Sequence, residues 1–154
     1  MTRVDLSAVS IVGGRAARQP EIWIVSAEQW PRAYLRAELI ERGYDAVGFV
    51  AMKDAIIRLM LARSRTPALL VVDLHGQDVQ HMQQMNEKMR ATLIREHVPL
   101  LVVADGAHRD DGRLGPTVRT LRRPITIGAI ADTVDRLMGR APWPAQPSVD
   151  HGAR

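Results

Sequence analysis

The sequence predicts an open α/β sandwich: five parallel strands in one sheet, with helices on both faces. Two observations predict it. The runs Leu69–Val72 and Leu100–Val103 are apolar without polar alternation, so each must be covered on both faces, as strands of a parallel sheet are. Strand-like segments also alternate along the chain with segments of helical periodicity, the pattern of strands joined by crossover helices.

The elements follow in order. EIWIVS at Glu21–Ser26 is a short apolar strand. Gln29–Arg42 places Trp30, Ala33, Ala37 and Ile40 on one face at helical spacing, expected to face inward. Pro31 lies in the first turn, where a missing N–H costs nothing, and Gly43 is the stop. Tyr44–Val50 is a second strand, weakened by Gly48. Met52, Ala55, Ile56 and Leu59 form the inner face of a second helix that ends before Pro67. Ala68–Asp73 is the third strand. Asp78 is a candidate cap for a long third helix with the stripe Met82, Met85, Met89 and Leu93. Pro99–Ala104 is the fourth strand and Thr117–Arg122 the fifth. Thr126 caps a last helix with Ile127, Ile130, Val134 and Leu137 facing inward. The segment DGAHRDDGRLGP, Asp105 to Pro116, has no apolar stripe, so any helix there is expected to be short or absent.

The 154 residues are enough for one domain with a real core, and 46% hydrophobic with 25% charged residues is a globular profile. No stretch approaches the roughly 18 apolar residues of a spanning helix, and no signal peptide is evident, so a cytoplasmic location is expected. The absence of cysteine excludes disulfides, thiolate metal sites and cysteine nucleophiles. Net charge is +4, but residues 21–139 hold sixteen basic against fifteen acidic residues, a balance of +1. The excess sits on the segments 1–20 and 140–154, read as flexible extensions around a domain at 21–139; the second is proline-rich, APWPAQPSVDHGAR from Ala141.

Ligands of open α/β folds bind at the carboxyl ends of the strands. That rule gathers Ser26, Ala27 and Glu28, Asp73, Ala104 and Asp105, and Arg122 and Arg123. The order and spacing of IWIVSAE, GYDAV, PALLVVD, VPLLVVAD and LRRP over residues 21–139 resemble the receiver domain of two-component response regulators. The resemblance implies a flavodoxin-like sheet in the order 2-1-3-4-5, with Asp73 at the position that accepts a phosphoryl group from a histidine kinase. Carboxylate attack on a phosphoryl donor needs the charge on the equatorial oxygens neutralised by a metal and by donors. In the family two acidic residues after the first strand hold Mg²⁺, a Ser or Thr follows the fourth strand, and a Lys-Pro follows the fifth. Here those positions fall on Ser26 and Ala27 with Glu28 beyond, on Ala104, and on Arg123-Pro124; the aromatic switch position falls on Thr120. Only Asp73 and Pro124 match. The chain is therefore identified as resembling an atypical, or pseudo-receiver, type. Glu28 and Asp73 are weak candidates for Mg²⁺, no other cofactor is expected, and Arg123 or Arg122 is expected to balance the charge of Asp73.

Other features carry less. His75 with Asp73 and Asp78 lacks the converging partners of a metal site. The Met82–Met89 stripe reads as core packing. Arg109, Arg113, Arg119, Arg122 and Arg123 are interleaved with Asp105, Asp110 and Asp111 and lack aromatic stacking partners, so they read as a solvated face rather than a nucleic-acid surface. Gly13–Gly14–Arg15 is not a phosphate loop, and Trp143, between Pro142 and Pro144, reads as part of an ordinary tail.

The expectation is a stand-alone, non-enzymatic receiver-like domain acting in signal transduction through protein contacts, without normal Mg²⁺-dependent phosphorylation. The fifteen residues after the last helix are too few for a helix-turn-helix output unit, so output is expected to run through a signalling protein, a histidine kinase or a second copy, and not through nucleic acid or membrane. Two alternatives stay open: a working phosphorelay receiver modified on Asp73, and a small α/β enzyme or nucleotide-binding domain. The latter has SAEQWP where a glycine-rich turn belongs and no nucleophile–base pair.

Overall fold

In the computed structural model, residues 18–61, 65–74, 87–105 and 118–140 are described. Strands β1 (Glu21–Ser26), β2 (Asp45–Phe49), β3 (Leu69–Asp73), β4 (Leu100–Ala104) and β5 (Val118–Arg122) form one parallel sheet in the order β2-β1-β3-β4-β5. Helices α1 (Gln29–Glu41), α2 (Met52–Leu61), α3 (Glu87–Arg95) and α4 (Ile127–Leu137) accompany it. Among the described residues, no helix is long and apolar enough to cross a membrane.

Strand alternation divides the core in two. On one face Trp23, Val25, Leu70, Val72, Leu100 and Val102 pack with Ala55, Ile56 and Leu59 of α2 and Leu93 of α3. On the other, Ile22, Ile24, Leu69, Val71, Leu101 and Val103 pack with Leu35 and Leu39 of α1 and Ile130, Ala131 and Val134 of α4. The unbroken apolar runs of β3 and β4 are thus explained: every residue of both strands is buried, because both faces are covered.

Two sequence expectations are corrected. In α1 the stripe Trp30, Ala33, Ala37 and Ile40 faces solvent, with Trp30 65% exposed, while Leu35 and Leu39 face the sheet. The sequence offers two apolar stripes on this helix. The sheet takes the one in line with Arg42, which the charges of α4 hold against the core. In α4, Leu137 lies on the exposed flank and Ala131 takes the buried position beside Ile130 and Val134. The helix ends otherwise agree: Thr126 Oγ accepts from the Ala129 N–H at 3.1 Å, and Gly43 takes the left-handed conformation, φ 83°, just after α1. Arg42 is the C-cap of α1 rather than its last helical residue.

The Asp78 cap, Met82 and Met85, the side chain of Met89, His75, the arginines at 109 and 113, the segment between Asp105 and Val118, Gly13–Gly14–Arg15 and Trp143 lie outside the described residues.

Candidate functional site

The parallel register brings four strand ends to one edge of the sheet. Ser26 lies opposite Asp73, Asp73 opposite Val103, and Ala104 opposite Arg122. The Arg123 N–H donates to the Ala104 carbonyl at 2.9 Å, which carries the chain past the strand end and turns the Arg123 side chain back across β4 toward β3. The Arg123–Pro124 peptide is cis. One Arg123 terminal nitrogen then donates to Asp73 Oδ1 at 2.5 Å, and its Nε lies 3.8 Å from Asp105 Oδ1. Asp73 is 9% exposed and the arginine partly exposed, so a charge-assisted bond forms at the mouth of the core, where water screens it only in part.

The rest of the edge supplies few acidic groups. Ser26 is buried and its hydroxyl donates to the Glu28 carbonyl at 3.3 Å. Ala27 has no side-chain oxygen, and Glu28 is an exposed residue at the N-cap of α1. Ala104 is buried and has no hydroxyl. Thr120 on β5 is half-buried, and among the described residues its hydroxyl has no partner. Arg122 points outward. The edge therefore unites Ser26, Asp73, Ala104 and Arg123 and leaves Ala27, Glu28 and Arg122 at its rim.

A contact missing from the sequence reading props up this edge. Arg32, one turn into α1, donates from Nη1 to the Ser26 carbonyl at 2.6 Å. Its aliphatic stem crosses Gly48 on β2, where an added Cβ would meet Arg32 Cγ and Cδ at 3.1 Å. The glycine that looked like a weakness in β2 makes room for this arginine.

A second charged cluster stands at the opposite end of the sheet. Arg42 bonds Glu38, Asp132 and Asp135 at 2.7–2.9 Å; Tyr44 Oη donates to the buried Asp135 at 2.6 Å. Arg140 donates to the Arg42 carbonyl at 2.7 Å and lies 3.9 Å over the Tyr44 ring. Burial opposes the Arg42 charge, but the bonds to Asp132, Glu38 and Asp135 outweigh it and hold its pKa above the ordinary arginine value. Burial and then the bond to Asp135 push Tyr44 above the usual tyrosine range. Arg42 and Asp135 are 93 positions apart, so no local pattern reveals them. The one available signal is an aspartate inside the apolar face of a helix, which is out of place unless paired.

No family model matches the chain, and no curated protein matches it. Solved structures do. A response regulator receiver protein from Burkholderia phymatum aligns at TM-score 0.60 and 21% identity, over 80% of this chain and 98% of that one. The receiver domain of the hybrid histidine kinase CckA aligns at 0.56 and 23%, over 77% and 98%. The Vibrio cholerae chemotaxis protein CheY4 aligns at 0.57 and 16%, over 77% and 98%. The fold is that of receiver domains, and the sheet order expected from the resemblance is the one observed.

Proposed function

We propose that this chain is an atypical receiver module of two-component signalling that acts through protein contacts, with Asp73 neutralised by Arg123 rather than by Mg²⁺. The observation that carries the reading is the 2.5 Å bond between Arg123 and Asp73. A guanidinium already supplies positive charge at the carboxylate where the family places a metal and a lysine. The neighbouring donors support the same reading. Mg²⁺ requires near-octahedral oxygen ligation, usually with one or two carboxylates free to bind it. Ser26 turns its hydroxyl to the Glu28 carbonyl and Ala27 offers nothing, so the residues at this edge do not fit the ion. Metal-assisted phosphoryl transfer therefore has no place in this reading.

The expected partners are a signalling protein, a histidine kinase or a second copy, and a cytoplasmic location belongs to the same proposal. Catalysis of a reaction on a small substrate is not part of it: Asp73, the buried acidic group at this edge, is engaged by an arginine rather than by a base that would activate a nucleophile.

Intact mass after incubation with Mg²⁺ and a small acyl phosphate tests the reading, on the wild type and on Asp73→Asn. The expected result is no phosphate adduct on either. An adduct on the wild type that Asp73→Asn abolishes overturns the reading in favour of a working phosphorelay receiver.

A further inference from the structure

A shallow groove runs between α1 and the edge of β2. Arg32, Arg36 and Ile40 line it as one row, four residues apart along the helix, together with Ala33, Ala37 and Gly48 of β2. The alanines and the glycine carry little side chain, so the groove stays open between larger neighbours. β2 is the outermost strand of the sheet on this side. The Asp45 N–H donates to the Pro20 carbonyl, so in the parallel register residues 45, 47 and 49 turn their backbone groups to β1. Ala46 and Gly48 turn theirs outward, toward the groove, as the residues of an edge strand do.

The charge of this groove is uneven along its length. Arg32 Nη1 donates to the Ser26 and Glu28 carbonyls at 2.6 and 3.4 Å, and Arg36 Nε donates to the Ala46 carbonyl at 3.0 Å. These acceptors are neutral backbone oxygens. Among the described residues, neither guanidinium is ion-paired with a carboxylate. Each keeps its charge and further terminal N–H groups for an anionic guest. At the other end Glu41 lines the groove beside the exposed Ile40, so a carboxylate is repelled there and an apolar group is accepted.

We propose that the groove binds an extended segment of a partner protein with the pattern apolar-x-acidic-x-acidic, in either chain direction, its apolar residue on Ile40 and its two carboxylates on Arg36 and Arg32. Spacing supports the match. Residues four apart on a helix lie about 6 Å apart along its axis. Alternate residues of an extended chain lie about 6.6 Å apart, so one face of the guest keeps step with the helix row over three positions. An extended guest also reaches the outward backbone groups of Gly48, which a helical guest does not. The guanidiniums exchange neutral carbonyl partners for carboxylates, the stronger acceptors. A second copy suits the groove less well, because a two-fold pairing lays the Arg32–Arg36 row of one copy against the same row of the other. The proposal holds whether or not Asp73 takes a phosphoryl group.

The probes are the synthetic peptide acetyl-Leu-Ser-Glu-Ser-Glu-amide and the same sequence reversed, titrated into the ¹⁵N-labelled full chain. With at least one of them, the amides of Ala33, Ala37 and Gly48 and the Arg36 Nε–H should shift saturably. Replacing both glutamates of the peptide by glutamine should abolish those shifts over the same concentration range. Arg36→Gln should weaken binding about fivefold, the upper range for an exposed ion pair, while Lys53→Gln on α2 should bind like the wild type. No saturable shift with either peptide, equal binding of the glutamine peptide, or equal binding by Arg36→Gln overturns the proposal. A fivefold loss in Lys53→Gln as well reveals attraction to overall charge and overturns it too. Shifts at the same amides on concentrating the protein alone assign the groove to a second copy, with the same consequence.

Discussion

The two ends of the sheet handle buried charge in opposite ways. At the amino end, one guanidinium meets three carboxylates, and a tyrosine hydroxyl and a second arginine complete the cluster. At the carboxyl end, Arg123 meets Asp73 closely and Asp105 only at 3.8 Å, beside Ser26 and Ala104. The first arrangement ties α1, the start of β2 and α4 into one unit. In the second, Arg123 reaches from the segment after β5 to Asp73 at the end of β3. The first joins two helices and a strand start, and the second joins two strand ends.

The largest effect that would break this contrast falls on the amino end. Asp135→Ala removes the acceptor shared by Arg42 and Tyr44 and should cost about 3–5 kcal/mol in urea unfolding, the range for breaking a buried ion pair. A loss below that of the next variant would mean the network is ornamental.

Arg123→Met should cost less, about 1–3 kcal/mol, the range for leaving one buried polar group unsatisfied. Asp73 is buried but lies at the mouth of the core, where water screens its charge in part. A cost as large as that of Asp135→Ala would show that the carboxyl-end pair is a structural clamp too.

Tyr44→Phe sharpens the contrast through pH. The folded protein holds Tyr44 protonated above the usual tyrosine range, whereas the unfolded chain releases that proton at about pH 10. The stabilisation is complete below about pH 10 and is lost as pH rises above it, because only the unfolded state then gains by deprotonation. The wild type should therefore lose stability across alkaline pH more steeply than Tyr44→Phe. Parallel curves would place the phenol outside the network.

Thr126→Ala, which removes the cap of α4 between the two ends, should cost only about 1 kcal/mol in thermal or urea unfolding. A far larger loss would mean that the cap also orients Arg123.

The sequence reading succeeded where a pattern is local and failed where two patterns compete. Leu69–Val72 and Leu100–Val103 announced strands covered on both faces, and the sheet places both inside. Asp73 and Arg123 were legible as neighbours because Asp73 closes an apolar run, Arg123 follows the fifth strand, and strand ends gather in this fold. In α1, Trp30, Ala33, Ala37 and Ile40 make a longer stripe than Leu35 and Leu39, yet the shorter one is buried. Periodicity ranks stripes by length. The fold ranks them by what α4 and β2 present, and here Arg42 and Asp135 decide. Their pairing, like the passage of Arg32 over Gly48, depends on contacts between distant segments that no window of the sequence contains.

The claim that Arg123 takes the place of a metal at Asp73 is tested most directly by titrating the wild-type protein with Mg²⁺ and following the backbone amides of Ser26, Asp73, Leu74 and Arg123 by NMR. The account predicts no saturable shift at these residues beyond that of exposed carboxylates elsewhere. Saturable, coupled shifts at Asp73 and Arg123 that vanish in Asp73→Asn would mean that Mg²⁺ displaces the arginine, and would contradict it.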